Sequence, residues 1–228
     1  MELHNVTLEA CSDCADLVVV IDVIRAFTTA AYAFGGGAKE ILLVSGVDEA
    51  LDLKQQLPQA LTMGELGGRC PAGFDFSNSP AEVAGADLRG RTLIQRTSAG
   101  TQGAVRSKQA QTLLAGSFCC AAATARYVKE SSAESVTCVI TGIHSGADGD
   151  EDIAFADYLG ALLEGRTPDF QEYARRVRNS YWGRHFGRPD FPHFPAVDLD
   201  FCVQLDRFDF AMTIARRNGQ LVLEARGR

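Results

Sequence analysis

What the chain lacks narrows its class first. No stretch approaches the roughly 20 apolar residues that cross a bilayer, and the opening MELHNVTLEACSDCADL has no basic end followed by an apolar segment. A secretory leader is therefore not expected. Proline is scarce at 7 residues and glycine moderate at 22, which excludes a collagen-like or linker chain. Basic residues are outnumbered, 22 Lys and Arg against 29 Asp and Glu, for a net charge of −7. Nucleic-acid binders carry a basic stripe, and this balance argues against one. The seven cysteines are an odd number scattered through apolar runs, the pattern of buried thiols in a cytosolic chain rather than of a disulfide framework. These absences lead us to expect a cytoplasmic protein with neither membrane nor nucleic acid as partner.

What is present is enough for a core. The chain has 228 residues, 46% of them hydrophobic, and a fold of this size buries roughly 70–75% of its unfolded surface. That length suits a single domain spanning 1–228. Leu17–Val23 (LVVVIDV) reads as a strand buried on both faces. Arg25–Phe34 reads as a helix stopped by three glycines, Gly35 to Gly37. Further strands are predicted at Ile41–Ser45, Ala60–Met63, Arg91–Gln95, Leu113–Phe118 and Ser135–Thr141. Helices are predicted at Val47–Leu57, Gln102–Thr112, Ala121–Glu130, Asp152–Glu164 and Asp169–Arg178. Ser79, Pro80 and Glu82 form a capping box that opens a short helix after the Gly-rich loop Leu66–Ser77. Phe208–Arg216 and Gln220–Arg226 flank Asn218-Gly219, a two-residue hairpin signal. Strands alternating with helices predict a three-layer α/β fold, a mostly parallel but mixed sheet flanked by helices, with a C-terminal β-hairpin.

In open α/β sheets ligands bind outside the carboxyl ends of the strands. Those ends carry Asp22-Val23-Ile24-Arg25, Gly64-Glu65, Arg96 to Thr101, and Gly142-Ile143-His144-Ser145. Parallel strands would put them on one edge, so Asp22, Glu65, Thr97 and the loop after Thr141 could converge. The run Arg96-Thr97-Ser98-Ala99-Gly100-Thr101 passes from a strand into a helix through small, hydroxylated residues. Such a turn can cradle an anion on backbone N–H groups with Thr97, Ser98 and Thr101 as hydroxyl donors and Arg96 as a charge clamp. It equally suits an ordinary turn capped by Thr101. Asp22 ends an apolar strand and needs a partner, either Arg25 or a metal ion. Position 24 is Ile, where a haloacid-dehalogenase-type phosphatase would need a second Asp. Glu65 lies in an open, Gly-flanked loop. Asp148, Asp150, Glu151 and Asp152 cluster before a helix, which suits a helix start but also Mg²⁺ and its oxygen ligands. Cys11 and Cys14 have metal-site spacing without a second pair, and His144, His185 and His193 stand singly.

Taken in order, several segments resemble the ComB family of 2-phosphosulfolactate phosphatases. They are Val19–Ala26 (VVIDVIRA) with Thr28-Thr29, Gly37-Ala38-Lys39-Glu40, Gly64-Glu65 with Gly67-Gly68, and Gly73-Phe74-Asp75 followed by Asn78-Ser79-Pro80. Thr97–Thr101, Gly116-Ser117-Phe118, Glu151-Asp152 and Phe201 to Asp206 complete the set. The resemblance implies a Mg²⁺-dependent phosphatase that converts 2-phospho-3-sulfolactate to 3-sulfolactate and phosphate, towards coenzyme M. It implies Asp22, Arg25 and Glu65 as catalytic residues. Arg96, Thr97, Ser98, Gly100, Thr101, Asn78 and Ser79 would bind substrate, and Asp22, Glu65, Glu151 and Asp152 would hold the metal. Leu66 stands where the family pattern has Arg, and Ala99 where it often has Asn, so the substrate is less constrained than the reaction class. A non-catalytic binder of a small anionic metabolite is the alternative. Exposed apolar residues in Tyr181–Phe201 could form a homodimer contact.

Overall fold

The computed structural model describes residues 2–144 and 146–227. Ser145, singled out above in a strand-end loop, lies outside the described residues, as do Met1 and Arg228. In chain order the first half contains β1 (Glu2–Thr7), β2 (Leu17–Ile21), α1 (Ala26–Gly35), β3 (Glu40–Leu43), α2 (Val47–Gln56), β4 (Leu61–Gly64), β5 (Phe76–Ser77) and α3 (Pro80–Ala84). Next come β6 (Thr92–Arg96), α4 (Gly100–Arg106), β7 (Thr112–Gly116), α5 (Ala121–Glu130), β8 (Ser135–Ile140), β9 (Ile143–His144) and β10 (Ala147–Asp148). The last elements are α6 (Asp150–Leu163), α7 (Phe170–Asn179), α8 (Ala196–Cys202), β11 (Ala211–Arg217) and β12 (Gln220–Arg226). No helix among the described residues is long and apolar enough to cross a membrane.

Ten strands form one mixed sheet in the order β1-β8-β2-β7-β11-β12-β3-β6-β4-β5, flanked by helices. β2 explains why its sequence is apolar throughout. Val18 and Val20 enter one core, whereas Leu17, Val19 and Ile21 enter the core on the opposite face. β3 alternates in the same way, with Ile41 and Leu43 in the first core and Leu42 and Val44 in a third. The first core therefore runs along one face of the whole sheet. At its centre is α1, buried from Ala26 to Phe34, which contacts both halves of the sheet at once.

The hairpin sits in the middle of the sheet, not at an edge. β11 pairs antiparallel with β7, and β12 antiparallel with β3. Asn218 and Gly219 both take positive φ, 50° and 81°, as a two-residue turn of this hand requires. Because each of these junctions reverses direction, the block β1-β8-β2-β7 and the block β3-β6-β4-β5, each parallel within itself, run in opposite senses. One shared edge for all carboxyl ends, as the sequence predicted, is thus incorrect. The ends still meet because β2 and β6 are five strand steps apart. At the usual 20–25° of twist per step, the sheet turns by about 100–125° over that distance. Strands of opposite local sense can then aim their carboxyl ends at the same place across α1.

Several boundaries differ from the sequence reading. The helix predicted at Gln102–Thr112 starts at Gly100 and stops at Arg106. Ser107 ends it by turning its hydroxyl back to the Gly103 carbonyl at 2.8 Å, and Thr112 is taken by β7 as the partner of Leu17. Ser79 caps α3 as expected, accepting the Glu82 N–H at 3.2 Å. The Glu82 carboxylate bonds the Ser77 N–H at 3.0 Å instead of closing the capping box on Ser79. β1 and α8 were not anticipated. β1 is an edge strand whose polar, part-exposed residues hide its periodicity.

Candidate active site

Asp22 leaves the end of β2 and caps two helices. Its Oδ1 accepts the Ala26 N–H of α1 at 3.0 Å and its Oδ2 the Gly100 N–H of α4 at 2.8 Å. Helix starts favour an anion, and Gly100 is what permits this approach. A Cβ there would stand 2.8 Å from Asp22 Oδ2 and 2.9 Å from the Ala26 Cβ. Glu65, after β4, accepts the Ser98 N–H on Oε1, and the Gly68 N–H at 2.7 Å and Ser98 hydroxyl at 3.1 Å on Oε2. Asp152, in the first turn of α6, accepts the Val23 N–H at 2.9 Å on Oδ1 and the Gly142 N–H at 2.8 Å on Oδ2. Glu151 differs from these three. Its Oε2 is buried and has no hydrogen-bond partner.

These turns enclose a cavity of about 270 Å³. Its polar wall includes Glu9, Asp22, Arg25, Glu65, Asn78, Ser98, Glu151 and Asp152, and Ile24, Ile143, Trp182 and Phe194 form an apolar wall. Asn78 Oδ1 is a second buried orphan acceptor. Burial pushes the Asp22 carboxyl up to about 6, with the neighbouring Glu65 charge adding to the rise and the Ala26 and Gly100 N–H bonds opposing it. Burial likewise raises Glu151 to about 7, with the Asp22 charge adding and the Ser180 hydroxyl opposing. Asp152 is also raised, by burial first and then by the charges of Glu151 and Asp22. The carboxylates thus sense one another across the cavity. No group of three or more His, Cys, Asp or Glu among the described residues is gathered tightly enough to hold a metal unaided.

Arg25 is the one Lys or Arg on the cavity wall among the described residues. It forms no ion pair with Asp22, the partner considered from the sequence. Its Nη1 bonds Asp198 Oδ2 at 2.7 Å and the His193 carbonyl at 3.1 Å. The rings of Phe186 and Phe194 lie 5.5 and 4.8 Å from the guanidinium carbon. Asp198, on α8, was missed by the sequence reading. The signal available was a charged residue inside the otherwise apolar Ala196–Leu199 run, which demands a buried partner. The aromatic segment that supplies Trp182, Phe186 and Phe194 was also missed as a site element. Its rings pack over the cavity, Trp182 stacked on Phe194 at 5.8 Å, and only Val197 in 181–201 is among the large hydrophobics left exposed.

The anion cradle expected at Thr97–Thr101 is already filled by the protein's own groups. The Ser98 and Gly100 N–H groups are taken by Glu65 and Asp22, and the Thr101 N–H by the Thr97 hydroxyl at 3.0 Å. Thr101 Oγ1 in turn accepts the Thr97 N–H at 2.8 Å. Of this run, Ser98 and Ala99 line the cavity, whereas Arg96, Thr97, Gly100 and Thr101 do not. Arg96 donates to the carbonyls of Ser45 at 3.1 Å and Glu65 at 2.7 Å, which fixes the loop and spends its charge on backbone. Ser79 also stands behind the wall, its hydroxyl on Asp198 Oδ1 at 2.6 Å. Asp22, Arg25, Glu65, Asn78, Ser98, Glu151 and Asp152 are brought together.

Fold and site define an α/β protein with an acidic cavity roofed by aromatic rings. A family model described as 2-phosphosulpholactate phosphatase matches residues 4–217. Proteins named "Probable 2-phosphosulfolactate phosphatase" are similar over most of the chain. That of Bacillus subtilis is 38% identical over 208 residues, covering 91% of this chain and 90% of its own. That of Carboxydothermus hydrogenoformans is 33% identical over 225 residues, with the same two shares, and that of Deinococcus radiodurans is 35% identical over 168 residues, 72% and 70%. The chain belongs to the 2-phosphosulpholactate phosphatase family, whose named activity is a phosphoric monoester hydrolysis.

Proposed function

We propose that this chain is a Mg²⁺-dependent phosphatase of small anionic phosphomonoesters, with 2-phospho-3-sulfolactate as substrate and 3-sulfolactate and phosphate as products. Family membership supports the reaction class. The observation that carries the metal is the charge imbalance of the cavity. Five carboxylates, Glu9, Asp22, Glu65, Glu151 and Asp152, face one arginine, and that arginine is already paired with Asp198. A multiply charged phosphate ester would be repelled by such a wall unless a cation were added. The donors are all oxygen, which suits Mg²⁺, an ion that commonly takes one or two carboxylates and keeps its waters. Asp22 and the orphan Oε2 of Glu151 would hold it, with Glu65 and Asp152 contributing charge from fixed positions. When bound, it would neutralise phosphoryl oxygens and lower the pKa of a bound water.

The chain's own residues have separable tasks in this reading. Arg25 binds a phosphoryl or second anionic oxygen through the guanidinium edges not used by Asp198. Asn78 offers a polar contact from the buried wall and Ser98 one from the exposed rim. Trp182 and Phe194 exclude bulk water. Both Asp22 oxygens are held by backbone N–H groups, which suits a fixed anion better than an attacking nucleophile, so we assign the attack to water. Its oxygen bonds to phosphorus as the bond to the substrate oxygen breaks, and a proton passes to that leaving oxygen. The test is phosphate release from a panel of phosphomonoesters with Mg²⁺. Release that is abolished by EDTA and by Asp22→Asn is expected. Tight anion binding without turnover of any ester would overturn the proposal in favour of a binding protein.

A further inference from the structure

Asp198 has no exposed surface and does not line the cavity, yet it is bonded to every part that shapes the cavity's cationic side. Oδ2 takes Arg25 Nη1 at 2.7 Å. Oδ1 takes the Ser79 hydroxyl at 2.6 Å and the Ala81 N–H at 3.3 Å, at the start of α3. Arg25 Nη1 also holds the His193 carbonyl, next to Phe194, whose ring covers the guanidinium. The guanidinium is thus fixed on one edge and on its faces. Its Nε and Nη2 have no bonded protein partner among the described residues, which leaves them for the cavity.

An arginine stays charged whatever surrounds it. Freed from Asp198, this buried cation would turn to the nearest other anions, and Asp22 already senses its charge. From these contacts of Asp198 with Arg25, Ser79 and Ala81 we infer that Asp198 is a positioning residue: it aims Arg25 at the anionic substrate and keeps it off the carboxylates of the cavity. The inference rests on the phosphatase reading for its substrate. Its own content is a division of charge, with Arg25 reserved for the anion and Asp22 and Glu151 reserved for a divalent cation.

The test is a double-mutant cycle on the full chain with Asp198→Asn, Arg25→Lys and both together, monitored for thermal unfolding throughout. Asp198→Asn is expected to raise KM and the inhibition constant of inorganic phosphate by about tenfold or more, with kcat changed much less. The double variant should bind phosphate no worse than Arg25→Lys alone. Titration of Mg²⁺ alone by calorimetry should show weaker binding to Asp198→Asn, recovered when Arg25 is also changed to Gln. Ser79→Ala keeps both charges and removes one donor to Asp198, so it should move the same constants in the same direction by less. Should Asp198→Asn fail to fold, Ser79→Ala decides the question by those constants. Phosphate and Mg²⁺ affinities within about twofold of the parent in a destabilised variant, or effects that add to those of Arg25→Lys, would overturn the inference. An inactive parent protein that still shows the coupled phosphate and Mg²⁺ shifts would sink the phosphatase reading and leave this one standing.

Discussion

Asp22, Glu65 and Asp152 are tolerated in the cavity because backbone N–H groups hold them, whereas Glu151 has an oxygen with nothing to hold. Without a cation, burial raises both Asp22, to about 6, and Glu151, to about 7, above their ordinary values of 3.8 and 4.5. The folded state then binds more protons than the unfolded state between about pH 4 and pH 7, so its stability falls as pH rises through that window. For Asp22 alone the two-unit rise corresponds to about 3 kcal/mol. Calorimetry in EDTA should therefore find a higher Tm near pH 5 than at pH 8. Glu151→Gln should flatten that dependence, and saturating Mg²⁺ should flatten it in the parent. A pH-independent Tm in EDTA would show that the carboxylates are not crowded. Asp22→Asn should cost about 10³-fold or more in kcat, since it removes charge from the centre of the site, and far-UV circular dichroism should show the fold retained.

Among the elements, the aromatic segment before α8 contributes most that was not foreseen. Phe194 covers the Arg25 guanidinium and stacks on Trp182. A cation–π contact of this kind is worth about 0.5–2 kcal/mol, so Phe194→Ala should raise KM several-fold while leaving the helix content unchanged. The β2 strand, α1 and the α5 helix were legible because apolar runs and glycine stops act locally. The 79–82 cap was only half legible, since Glu82 found a nearer donor in Ser77. The turn at Thr97–Thr101 was left open between an anion cradle and an ordinary turn for a similar reason. Small residues before a helix do mark a close approach, but the sequence does not tell whether a ligand or the protein's own carboxylate makes it. Asp22 and Glu65 come from 78 and 33 positions upstream of their partners Gly100 and Ser98, respectively, a distance that no local pattern spans. Asp198 and its partner Arg25 are farther apart still, 173 positions.

At the scale of the molecule, the site depends on a joint that sequence order conceals. The last two strands lie between the two parallel blocks, so closing the chain's C-terminal hairpin is what sets one carboxyl edge against the other. Met212 of β11 and Leu223 of β12 are fully buried in the core shared with α1. Truncating one of them, Met212→Ala, should cost about 2–5 kcal/mol, although it lies outside the cavity. The two halves should also unfold together, because α1 and the cavity need both. The protein's single tryptophan, Trp182, stands on the cavity wall and reports the site, whereas far-UV circular dichroism reports the sheet and helices as a whole. In urea the two signals should give one coincident transition for the parent and for Met212→Ala, with an earlier midpoint in the variant. Loss of the tryptophan signal well before the dichroism would mean that the blocks are independent units and that the cavity is held by its loops rather than by the hairpin between them.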